Sequence, residues 1–183
     1  MPKEIKLNVP YYSQRDSVVP GQANRMCYSS SNAMLLRHLK PGVLPNTASA
    51  DDTYLNRVFK YGDTTEAAAQ IKALAYYGLK AEFRQNLTWK DIEQQLEKGI
   101  PVPIGILHKG HVSNPKGGGH WILIIGRTAD GSGYYVHDPY GDLDLIRGNY
   151  VSTNGKALTY SRKNLTPRWQ VRGALGWGII AHK

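Results

Sequence analysis

The spacing of apolar positions changes along this chain. Behind Cys27, the residues Ala33, Met34, Leu36 and Leu39 recur at helical intervals. That spacing predicts a helix from Tyr28 to Leu39, with Ser29, Ser30 and Ser31 in its first turn and Lys40-Pro41-Gly42 at its end. A short helix is expected from about Asp52 to Tyr61, closed by Gly62. Asp63-Thr64-Thr65-Glu66 has the form of a capping box ahead of an alanine-rich helix reaching about Tyr77, with Gly78 after it. Leu79 to Arg84 reads as a strand, and Thr88-Trp89-Lys90-Asp91 opens another helix that Gly99 ends. From there the period shortens. Ile100 to Leu107, His120 to Ile125 and Trp177 to Ala181 are short apolar runs of strand length. Residues 5–12 read as an edge strand or extended lead-in, 13–25 as polar loop, and the stretch after Asp138 is weakly patterned. Helices first and strands second argue an α+β fold with an antiparallel sheet, in one domain spanning 1–183.

The run from His120 to Ile125 is apolar and β-branched, as a strand buried on both faces would be. Ala129-Asp130-Gly131-Ser132-Gly133 is turn chemistry, so this strand and Tyr134-Tyr135-Val136-His137 should form a hairpin. A turn centred near residue 129 sets His120 opposite Asp138, where Cβ atoms lie roughly 4.5–5.5 Å apart. A slip of one residue would send Asp138 to the other face. The hairpin thus predicts a His–Asp pair. Loop 108–119, with Gly117, Gly118 and Gly119, leads into it as either a mobile flap or a plain connector. Trp121 either shields the His–Asp hydrogen bond from water or packs into the core on the opposite strand face.

Charge narrows the partners. Lys+Arg 23 against Asp+Glu 14 gives +9, favouring polyanions such as nucleic acid, anionic membrane surface or anionic cell wall. The basic residues are scattered with no run or helical stripe, so nucleic acid is not expected as a partner. No stretch approaches the ~18 apolar residues of a membrane span, and the amino terminus lacks the apolar region of a signal peptide. A monomer made in the cytoplasm, able to act on the cell wall after release, is the expectation. A single cysteine rules out an intramolecular disulfide.

That cysteine is predicted at a helix N-terminus, where free N–H groups and the macrodipole stabilise a thiolate. With a histidine oriented by a carboxylate it would complete a nucleophilic site: sulfur attacks, imidazole takes and returns the proton, and the carboxylate fixes the tautomer. Taken singly, Cys27 reads equally as an inert buried thiol, His120 as a strand-end histidine and Asp138, before Pro139, as a turn initiator. Their conjunction points to catalysis. A zinc site drawn from His108, His111, His120 and His137 is the competing arrangement. No cofactor is expected.

Val9-Pro10-Tyr11-Tyr12-Ser13-Gln14, Cys27 with Ser30, Asn32, Ala33 and Met34, Gly99-Ile100-Pro101-Val102, Gly119-His120-Trp121 and Asp138-Pro139-Tyr140-Gly141 occur in an order that resembles the bacteriocin-leader-peptidase-like branch of the papain superfamily. The resemblance spans residues 9 to 141, and weakly Trp177-Gly178. It implies a papain-like cysteine peptidase fold, an N-terminal helical half with the nucleophile helix packed on an antiparallel sheet, and hydrolysis of peptide or isopeptide bonds without metal or cofactor. Carried over by position, Cys27 is the nucleophile, His120 the general base and acid, Asp138 the orienting carboxylate, and Gln14 the oxyanion donor beside the nucleophile's own amide. Tyr28 stands where the family has glycine, so it is expected to narrow the cleft, stack on substrate or even abolish chemistry and leave a binding module. The inserted loop 15–25 is expected to fold away from the site, with Gln22 as an alternative oxyanion donor. Small size and basic charge suit a peptidoglycan-lytic endopeptidase of the endolysin type that bacteriophages encode, with a protein- or leader-processing protease as the alternative.

Overall fold

The computed structural model describes residues 3–183. In chain order its elements are β1 (Ile5–Lys6), α1 (Cys27–Leu39), α2 (Ala50–Val58), α3 (Ala67–Tyr76), β2 (Lys80–Leu87), α4 (Trp89–Glu97), β3 (Val102–Ile106), β4 (His120–Arg127), β5 (Gly133–His137), β6 (Asp142–Asp144), β7 (Asn149–Ser152), β8 (Leu158–Ser161), α5 (Arg162–Trp169) and β9 (Gly176–His182). Every strand pairing is antiparallel, in the order β2-β9-β3-β4-β5-β8, with β1 paired to the end of β4. β6 and β7 form a separate two-stranded ribbon.

β4 sits in the middle of this sheet, which is why its sequence is apolar on both sides of the pleat. Leu123 and Ile125 face a cluster with Leu35 and Leu74 from α1 and α3. Ile122 and Ile124 face a second cluster with Trp89 and Ile92 of α4 and Leu165 and Trp169 of α5. The helical half expected on one face is present, and α4 and α5 cover the other. α5 has no counterpart in the sequence pattern because it is mostly polar, carries Pro167 inside it and buries an arginine beside its two apolar anchors, Leu165 and Trp169. Ser161 caps it by accepting from the Asn164 amide.

The three N-terminal helices are locked together by a buried polar network. The Gln70 amide nitrogen donates to Ser29 Oγ and the Thr64 carbonyl (both 2.8 Å), while its oxygen accepts from Asn32 (3.0 Å) and Tyr54 (2.8 Å). All four amide sites of Gln70 are thereby filled, and such satisfied networks fix a unique arrangement where an apolar core would tolerate several. The capping box expected at Asp63–Glu66 does not form. Asp63 instead takes a bidentate pair with Arg25 at 3.0 and 2.7 Å and accepts from the Thr64 amide, and α3 begins at Ala67 without a side-chain cap. The Thr88/Asp91 box at α4 is present.

The central hairpin is two residues out from the register expected. Leu123 pairs with His137 instead of Tyr135, because the loop centres on the Asp130–Ser132 turn and a bulge lies between Ile124 and Gly126. Continuing the ladder sets Asp138 against Ile122, diagonal to His120. Since the offset is even, both side chains keep the same face, and the pair survives an error that a single residue would have made fatal. No helix among the described residues is long and apolar enough to cross a membrane.

Candidate active site

Cys27 opens α1 at the bottom of a cleft of about 1150 Å³. It is partly exposed, and its sulfur accepts from the Trp121 backbone N–H at 3.3 Å. Among the described residues no side chain caps the α1 N-terminus, so the amides of that turn stay open to the cleft. His120, the first residue of β4, is 2 % exposed. Its Nε2 donates to Asp138 Oδ1 at 2.7 Å, which leaves Nδ1 for the thiol. Burial alone would depress this imidazole, but Asp138 and Cys27 outweigh burial and push it up to about 10. The pair with Asp138 thus favours the protonated imidazole.

Asp138 is fully buried and saturated with donors. Oδ1 also accepts from the Tyr140 amide at 3.0 Å, and Oδ2 accepts from Tyr160 at 2.7 Å and Tyr150 at 3.2 Å. Its carbonyl accepts from Tyr11 at 2.8 Å, and its amide donates to the Gly155 carbonyl at 2.9 Å. A Cβ on Gly155 would collide with the Asp138 carbonyl, so only glycine allows this loop to close. Sequence reasoning missed Tyr150 and Tyr160. They lie in the weakly patterned stretch, and the one available signal was the preference for tyrosine over phenylalanine, twelve against two.

Gln14 reaches the same cleft from a short 3-10 turn, Gln14–Asp16. Its amide N–H donates to the Pro139 carbonyl at 2.9 Å, tying this turn to the loop that carries Asp138. Its side chain is buried: Nε2 donates to the Ala23 carbonyl at 2.9 Å, and Oε1 has no partner among the described residues. Gln22 does not line the cleft and accepts from Arg25. The structure thus brings Cys27, His120, Asp138 and Gln14 together and leaves Gln22 outside. Loop 15–25 folds away from the site only in part, its end returning to the cleft. Ser17 and the Val18 amide anchor it to Asp52 on α2, and Asn24 and Arg25 form part of the cleft wall.

Tyr28 and Trp121 stack face to face at 3.8 Å between centroids with 2° between planes, a contact typically worth about 0.5–1.5 kcal/mol beyond its burial. The Trp121 ring lies over Gly105, where a Cβ would sit 3.2 Å from it. Trp121 is therefore on the face opposite His120 and does not cover the His–Asp bond. Tyr28 is 3 % exposed and turned into this stack, where it forms cleft floor and leaves Cys27 open. What covers His120 is His108, stacked on it at 4.5 Å and 12°.

The four histidines of the zinc arrangement do not converge. His137 lies on the other face, with Nε2 donating to the Val9 carbonyl at 2.7 Å and Nδ1 accepting from the Ala157 amide at 2.9 Å. His111 bonds to Ser113 in an exposed turn. Among the described residues no group of three or more metal-ligating side chains gathers.

The architecture matches known structures end to end. A crystal structure described as a C39-like peptidase from Bacillus anthracis superposes with a TM-score of 0.65 at 15 % identity, covering 99 % of both chains. A double-glycine-motif protease from an AMS/PCAT transporter, solved in complex with a leader peptide, superposes with a TM-score of 0.56 at 16 % identity, covering 99 % of this chain and 98 % of that one. No curated protein matches the sequence. Residues 6–173 match the Peptidase_C39 like family, so the chain belongs to that family, in the bacteriocin-leader-peptidase-like branch of papain-like cysteine peptidases.

Proposed function

We propose that this protein is a cysteine endopeptidase in which Cys27 is the nucleophile, His120 the general base and acid, Asp138 the orienting carboxylate and Gln14 the oxyanion donor. The observation that carries the reading is the buried 2.7 Å bond from His120 Nε2 to Asp138, with His120 and Cys27 lining the same cleft. The Cys27 sulfur attacks the scissile carbonyl carbon, whose oxygen takes the electron pair and is met by the Cys27 amide and a Gln14 Nε2–H. The imidazolium then gives its proton to the departing amine as the C–N bond breaks, leaving a thioester. Water, deprotonated by the now neutral imidazole, attacks the thioester and releases the acid, returning the proton to the His–Cys pair. Tyr28 supports this reading because its burial on Trp121 leaves the nucleophile accessible, which disfavours an inactive binding module.

For the substrate, the net charge of +9 and a cleft wall that carries Lys109 and no aspartate or glutamate among the described residues favour an anionic peptide. Peptidoglycan stem peptides fit that description, and an endolysin-type lytic role, phage-encoded and working as a monomer, is our first reading. Processing of a leader or other polypeptide is the second, supported by the leader peptide seated on the structurally similar transporter protease. Mass spectrometry of soluble products from purified peptidoglycan, run with the wild type and Cys27→Ala, is the test. Cysteine-dependent release of wall peptides is expected. Silence on peptidoglycan with cysteine-dependent cleavage of a denatured acidic polypeptide would replace the lytic reading by the processing one, and silence on both would overturn the peptidase assignment.

A further inference from the structure

We propose that His108 is a positioning residue that roofs the His120–Asp138 pair, and that buried Arg168 holds the roof in place. The inference rests on the assignment of His120 as the general base. His108 lies parallel to His120, and its Nδ1 is 3.3 Å from the Tyr150 hydroxyl. Tyr150 donates onward to Asp138 Oδ2, so the Nδ1 of His108 must carry the proton and donate to Tyr150. One hydrogen-bonded ring of side chains therefore runs from His120 to Asp138, through Tyr150 to His108, and closes through the stacked faces.

The groups facing His108 keep it uncharged. Burial and then the charge on His120 lower it to about 3, with Lys109 and Arg168 acting the same way and only Asp138 opposing. A neutral ring over an imidazolium presents its π face to a cation, which is attractive, where a second imidazolium would repel. It also displaces water from the open side of a hydrogen bond whose strength depends on a low local dielectric.

The loop that delivers His108 is built for this placement. Arg168, on α5, is completely buried, and its hydrogen bonds among the described residues all go to backbone carbonyls, none to a carboxylate. Its Nε donates to the Leu145 carbonyl at 2.7 Å, Nη1 to Leu107 and Lys109 at 3.1 Å each, and Nη2 to Gly110 at 2.8 Å. The Leu107 amide donates back to the Arg168 carbonyl at 2.9 Å. Burying a guanidinium against the carbonyls that flank residue 108 carries a large desolvation cost, out of proportion for a plain connector and consistent with fixing one side chain. On its outer side, Gly117 at φ +117° packs against the His108 ring, where a Cβ would lie 3.3 Å from it.

Proton NMR of the full-length protein tests the roof directly. The proton between His120 and Asp138 should give a far-downfield resonance, assigned by its loss in His120→Ala. In His108→Ala this proton should exchange with water at least about tenfold faster, with kcat lowered about tenfold and KM unchanged, part of the hundredfold that small misplacements of catalytic groups can cause. His108→Phe, flat and apolar, should restore both. His108→Asn, which keeps a donor toward Tyr150 but little area, should behave like alanine and serves if the alanine variant does not fold. Wild-type exchange in His108→Ala, failure of phenylalanine to restore protection in a folded protein, or no protected resonance in the wild type would each overturn the proposal. Absence of cysteine-dependent hydrolysis with the resonance protected as described would instead sink the catalytic assignment and leave the roof standing.

Discussion

One hairpin of this protein carries two buried histidines on opposite faces, and they behave as opposites. His120 meets a carboxylate and is pushed up to about 10, while His137 meets a carbonyl and an amide and is lowered to about 4, by burial first and then by Lys156 and Lys6. Each is almost completely enclosed. Burial alone therefore says nothing about which is chemical; the partner decides. A carboxylate makes an imidazole a charged acid–base group, whereas peptide groups make it a neutral structural cross-link joining the N-terminal segment to the segment before β8.

Mutation should separate the two roles most sharply. His120→Ala should lower peptide hydrolysis by at least about 10³-fold and abolish alkylation of Cys27 by iodoacetamide at pH 6. It should also lower the melting temperature, because it leaves the buried Asp138 carboxylate without its partner. His137→Ala should lower stability too but leave kcat within a few-fold. Unchanged hydrolysis in His120→Ala would break the comparison at its root. Asp138→Ala should come next, with kcat down by about 10²–10⁴-fold, an impairment rather than a loss because the carboxylate orients and does not react. Gln14→Ala should cost about 10²–10³-fold in kcat, while Gln22→Ala should leave it unchanged.

Stability should follow the sign of each shift. A depressed histidine contributes stability present at neutral pH and lost as pH falls from 6.5 through its folded value, so His137 should weaken the fold between about 6.5 and 4. The whole displacement is on the order of 3 kcal/mol as an upper bound. His120 acts oppositely, its contribution being complete below 6.5 and lost as pH rises through about 10. Thermal melts of wild type and His137→Gln across pH 4–7 should show the acid limb flatten in the variant. The opposite slope is expected from Asp51, buried behind α1 and raised to about 7 by desolvation, with Oδ2 accepting from Ser30 and Oδ1 without a partner among the described residues. Asp51→Asn should raise the melting temperature by several degrees at pH 8, with the gain shrinking as pH falls below about 7 and vanishing only near 3.8, where the carboxyl is protonated in the folded and unfolded chain alike.

The contrast between the histidines also marks what can be read from residues alone. Cys27 at a helix start, the apolar strand after His120 and the hairpin are legible because each rests on local pattern or turn chemistry. The face shared by His120 and Asp138 is legible for a weaker reason: the register expected differs from the one observed by an even number. The occupant of the space beside His120 is not legible. Trp121 and His108 are both near it in sequence or in loop order, and the pleat decides that Trp121 points away. Likewise α5 offers only Leu165 and Trp169 as apolar positions around a buried arginine, too few for a periodicity to show, and the polar segment after Asp138 supplies two tyrosines whose roles depend on contacts across the sheet.

Finally, the stitches at Asp138 carry a consequence for how the enzyme comes into being. Tyr11 bonds to the Asp138 carbonyl and Arg15 to the Tyr140 carbonyl, across separations of 127 and 125 residues. Gln14 sits between them, its amide on Pro139. Contacts this distant carry some of the largest loop-closure entropies in the chain and are among the last to form. Refolding should therefore regain its native tryptophan emission before it regains turnover, and a nascent or partly refolded chain would hold a complete α1 with its cysteine and remain harmless to its surroundings until these distant segments have met.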